Sequence, residues 1–175
     1  MNASEPPQLD RQDDTTVRAR GRHDVDLDLW FPPAAKALLP LDKGSLKTDF
    51  LSIKTHSAGP PSTDQYGLHL VLEPGASLPF ILYPRLRDEK PPALFVHGTP
   101  EAIELASPAG TDYLFLSPES RELRVANIRF KGTVGVVQAR GKQVTLTLCA
   151  PGELSFGRLE LAGERPVSRA FARQD

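Results

Sequence analysis

From Gly110 to Leu161 apolar and polar residues alternate through GTDYLFLSPESRELRVANIRFKGTVGVVQARGKQVTLTLCAPGELSFGRLEL, a pattern that predicts several strands laid end to end. Val134, Val136 or Val137 and then Val144, Leu146 and Leu148 form two apolar runs separated by QARGKQ, which predicts a hairpin closing on a turn. Upstream, HDVDLDLWF sets Val25, Leu27 and Leu29 against Asp24, Asp26 and Asp28 at period two, a half-buried strand with its apolar set inward and an acidic row outward. Ser45 to Thr55 reads as a further strand, and YGLHLVLE and LPFILYPR as a hairpin joined by PGAS. ALFVHG and AIELAS make another short pair, and PVSRAF a last strand. The pattern predicts an all-β protein, an antiparallel β-sandwich of about eleven or twelve short strands. Nothing repeats at a fixed period, which disfavours a propeller or solenoid.

Composition narrows this picture. The 175 residues suit one domain, and 17 prolines and 13 glycines favour many short strands and turns. Residues 1–22 are polar and charge-mixed, with too little apolar surface to offset the entropy of ordering them, so a flexible N-terminal tail is expected before a sandwich spanning 23–175. Pro32 to Gly44 is bracketed by prolines and reads as a crossover loop. With 21 basic and 22 acidic residues there is no electrostatic footprint for nucleic acid or an anionic membrane. The first residues lack the apolar core of a secretory signal, and no stretch approaches the roughly 20 apolar residues of a membrane span. The expected location is therefore cytoplasmic, or extracellular or periplasmic if the chain is a piece of a longer exported protein.

Candidate chemistry is sparse. Asp24, Asp26 and Asp28 project from one side of a strand, about 7 Å apart along it, and offer a few of the oxygen ligands that calcium requires; the alternative is a polar face that guards an edge. His23, His56, His69 and His97 stand at no short metal-binding spacing. His69 and the following EPGASLP resemble a cupin turn, with Glu73 nearby, but the second histidine of that pattern is missing: Gly67 and Val71 stand two before and two after. Cys149, the single cysteine, sits in an alternating run and reads as a small buried hydrophobe. Trp30 is out of phase with Val25, Leu27 and Leu29, which allows it to face outward with the aspartates as a sugar-stacking ring, or to turn into the core at a bulge. Tyr83 and Tyr113 lie inside strands, where a buried ring with a hydrogen-bonded hydroxyl is the default. Arg85, with Arg87, stands beside Tyr83 and would suit a uronate carboxylate or an exposed loop. The candidate carbohydrate-binding set is thus Trp30, Tyr83, Arg85 and Tyr113.

FILYPRLRDEKPP, a short hairpin, GTDYLFLSP and then IRFKGTVGVVQARGKQVTLTLCAPGELSF resemble, in that order, the C-terminal β-sheet region of heparinase II/III-like polysaccharide lyases. The similarity covers roughly Asp24 to Phe171. Such lyases join a helical toroid to β-sandwiches and cleave acidic polysaccharides by β-elimination, with catalytic groups drawn from the toroid and its cleft. This chain has no toroid, so the resemblance transfers no catalytic residue. It implies a non-catalytic accessory sandwich that supports a catalytic lyase domain or binds acidic polysaccharide, without a cofactor unless calcium binds. A small cupin-like metal-dependent enzyme with a pocket near His69 is the alternative. A self-associating structural sandwich is a third reading.

Overall fold

The computed structural model describes residues 9–13, 15–20, 24–31 and 79–173, which form twelve strands in two sheets, every pairing antiparallel. The all-β class is as predicted. The strands expected at Ser45–Thr55 and Tyr66–Glu73 lie outside the described residues. The chain divides into two compact units, Met1–Glu89 and Lys90–Asp175.

In the first unit, β1 (Leu9–Arg11), β2 (Thr16–Arg20), β3 (Val25–Trp30) and β4 (Ile81–Leu86) lie side by side in that order. β1 and β2 fall within the stretch that composition marks as a tail. The reason is local: Val17 of β2 lies opposite Leu29 and is buried, and Arg18 lies opposite Asp28. One apolar anchor and one charge partner give β2 an edge on which to pair.

The second unit is organised by two long strands, β7 (Gly110–Val125) and β8 (Ile128–Arg140). Against the first half of β8 lies β10 (Gly152–Phe156), followed by β11 (Leu159–Gly163); against its second half lies β9 (Gln143–Leu148), followed by β12 (Val167–Ala172). β8 changes neighbour between Gly132 and Gly135, and β7 absorbs the same corner by a register shift between Leu116 and Arg121. Both long strands therefore belong to two layers. β6 (Ala102–Ser107) and β5 (Ala93–Val96) extend the β7 side.

Between the layers lie Phe115, Phe130, Val137, Val144, Leu146, Leu148 and Leu154, all at most 2% exposed. The rings of Phe115 and Phe130 stack with centroids 5.1 Å apart. The predicted hairpin closes through Gly141 and Lys142, with Arg140 opposite Gln143 and Gly141 at φ +55°. A glycine at the first central position is what the favoured two-residue turn with φ > 0 there demands. Cys149 is exposed rather than buried, because it is out of phase with inward Val144, Leu146 and Leu148.

Candidate functional site: an arginine–aspartate ladder

In β3 the acidic row, expected to face outward, is the more deeply buried one, while Leu27 and Leu29 of the expected inward set are half-buried. Asp26, Asp28 and Trp30 are 2%, 6% and 5% exposed, whereas Val25 is 43% exposed. Alternation fixes which residues share a face but not which face is covered. Burial of the acidic row is possible because arginines at the same period two flank it on both sides, Arg18 from β2 and Arg85 and Arg87 from β4 and its end.

Asp28 is the centre. Arg18 Nε donates to its Oδ1 at 2.6 Å and Arg85 Nε to its Oδ2 at 2.7 Å, so each carboxylate oxygen receives a charge-assisted bond. Burial pushes the Asp28 carboxyl up, but the bonds and charges of Arg18 and Arg85 outweigh it and hold the group below its ordinary range. Arg85 Nη1 donates to the carbonyls of Leu86, Arg87 and Glu89 at 3.1, 3.2 and 2.8 Å, which ties the turn after β4 to the ladder. Arg87 reaches Asp24 at 3.1 Å and Asp26 at 3.4 Å. Asp24 stands at φ +56°, a conformation its short polar side chain tolerates, and its carbonyl accepts the Arg87 N–H at 2.7 Å.

These contacts involve the residues that the sequence singles out in and beside this strand. Asp24, Asp26 and Asp28 are engaged by arginine, and among the described residues no group of three His, Cys, Asp or Glu side chains is placed to hold a metal. Trp30 does share the aspartate face, but that face is buried and its ring is no open stacking surface. Arg85 is buried and spends its guanidinium on Asp28 and three carbonyls. Tyr83 stands half-buried opposite Asp28. Tyr113 lies in the second unit, opposite Glu104 and Val137, so the four residues expected to bind carbohydrate do not belong to one unit. Of the histidines, His97 pairs with Glu104 at 2.8 Å; His23, His56 and His69 lie outside the described residues, and the cupin-like turn with them. The ladder had a signal in the sequence, since TVRAR and PRLR carry arginines at the same spacing as the aspartates of DVDLD.

The other face of the same sheet is apolar. Val25 lies opposite Leu86, Leu27 opposite Pro84 and Leu29 opposite Leu82, and directly opposed residues share a face. Leu82 and Leu86 are each 51% exposed. No protein family, curated protein or solved structure matches the chain.

Proposed function

We propose that the chain is a non-catalytic accessory β-domain that acts by seating the apolar face of β3 and β4 on a protein partner, the catalytic domain of a heparinase II/III-type polysaccharide lyase. The observation that supports this reading is the in-register apolar surface of Val25, Leu82 and Leu86, each more than two-fifths exposed. Apolar side chains grouped on adjacent strands gain free energy when a partner removes them from water. The ladder on the opposite face supports the same reading: its charges satisfy one another and hold the sheet's geometry, and on the apolar side, where Val17 is already covered, Val25, Leu82 and Leu86 form the surface for contact.

The test is association with a heparinase-type catalytic domain from the same genome, followed by sedimentation velocity. The expected result is a complex that is lost on joint Leu82→Asp and Leu86→Asp substitution, with the variant still folded by circular dichroism. No complex, or one indifferent to the two substitutions, overturns the proposal.

A further inference from the structure

A second surface lies in the other unit, at the margin of β5, β6 and β7. Phe95 stands opposite Glu104, and Glu104 opposite Tyr113. Residues directly opposed in antiparallel strands share a face, so the three side chains form one row across three strands. The row continues into Val137 and Leu146, which are fully buried beneath the second layer. That cover thins at Tyr113, whose ring is partly buried against the core: within this unit β5 and β6 have only each other and β7 as neighbouring strands. Phe95 is accordingly 50% exposed, on the edge strand of the sheet.

The polar groups of the row are incompletely used. Glu104 Oε2 meets His97 Nε2 at 2.8 Å, while Oε1 has no protein partner among the described residues. The Tyr113 hydroxyl has none either, against the expectation for a tyrosine inside a strand. Strand spacing puts Phe95 and Tyr113 about 10 Å apart, with a carboxylate and an imidazole between them. Two ring faces at that separation match alternate sugar rings of an extended oligosaccharide, and the groups between them meet the hydroxyls of the intervening ring.

We propose that this row is a platform for a neutral oligosaccharide: Phe95 and Tyr113 stack on alternate sugar rings, Glu104 Oε1 accepts from a hydroxyl of the ring between them, and the Tyr113 hydroxyl and His97 complete the contact. Glu104 at the centre places a negative charge where a uronate would bring another, so the platform selects against acidic chains. This inference does not rest on the partner reading, which concerns the other unit.

The experiment is calorimetric titration of the full chain with cello- and manno-oligosaccharides, oligouronates and a lysine-rich peptide. Binding of a neutral oligosaccharide is expected, weakened about tenfold by Phe95→Ala and a few-fold by Tyr113→Phe, which keeps the ring. Glu104→Gln is expected to admit oligouronates, and the Leu82→Asp, Leu86→Asp variant to bind sugar normally. Both Phe95→Ala and Tyr113→Phe spare the core, so a loss is read against unchanged thermal unfolding. No binding of any neutral oligosaccharide, binding indifferent to Phe95→Ala, or preferential capture of oligouronate or lysine peptide by the unsubstituted chain overturns the proposal.

Discussion

Arg85 and Asp28, 57 residues apart in the chain, meet at 2.7 Å with side chains 2% and 8% exposed. Asp28 is also the acceptor for Arg18, so a single carboxylate joins three adjacent strands of the first unit. A pair this dry is costly to break from one side, because the surviving charge stays buried without its counterion. Asp28→Asn should therefore destabilise the first unit by about 3 kcal/mol, read as a lower urea midpoint. An unchanged midpoint would mean that the ladder is incidental to stability.

The same pair sets the acid response. The folded-state pKa of Asp28 is depressed, so its contribution is complete above the ordinary carboxylate value and disappears as pH falls through the lowered one. Urea midpoints measured between neutrality and strong acid should fall below the ordinary carboxylate range in the native chain. In Asp28→Asn that part of the fall should be missing.

Two glycines test the corner and the turn of the second unit. A Cβ on Gly135 would lie 2.5 Å from Phe130 Cε2, and Phe130 is fully buried against Phe115. Gly135→Ala should cost about 2 kcal/mol or more by overpacking. At Gly141 an added Cβ meets nothing within 4 Å, but φ is +55°, so Gly141→Ala should cost about 1 kcal/mol from backbone strain alone. Joint substitution with Phe130→Leu should ease the first and leave the second unchanged, as thermal melts would report.

Ala126 occupies the tight connection between β7 and β8 at φ +49°. Here the strain is native, and Ala126→Gly should raise stability by about 0.5 kcal/mol despite the added freedom of the unfolded chain. A lower melting temperature would refute this account of the turn.

Burial and the neighbouring Glu104 charge hold the Tyr113 hydroxyl above the ordinary tyrosine value. Ultraviolet difference titration of the native chain against Tyr113→Phe should assign a late-ionising phenolate to Tyr113, and Glu104→Gln should bring it earlier. If the late component persists unchanged, Glu104 does not bear on the ring.

The sequence disclosed most where alternation was long and uninterrupted. Val137, Val144, Leu146 and Leu148 are buried as a set, and the turn between their strands falls where QARGKQ predicts it. It disclosed least where charge and hydrophobicity competed for the same strand. In β3, hydrophobicity favours burying Val25 and its mates, yet Arg18 and Arg85, 10 and 57 residues from Asp28, make the acidic face buriable. Partners so far apart in the chain are not evident from local period. Cys149 shows the smaller version of that error, since its neighbours predict a strand while its phase places it outside.

The two layers of the second unit have no strands wholly their own at the centre, since β7 and β8 run through both. Peeling either layer away means tearing backbone bonds from the same pair of strands that the other needs. Lys90 to Asp175 should therefore open as one foldon, with the amide protons of β9 and β10 exchanging with solvent at a common opening free energy although they belong to different layers.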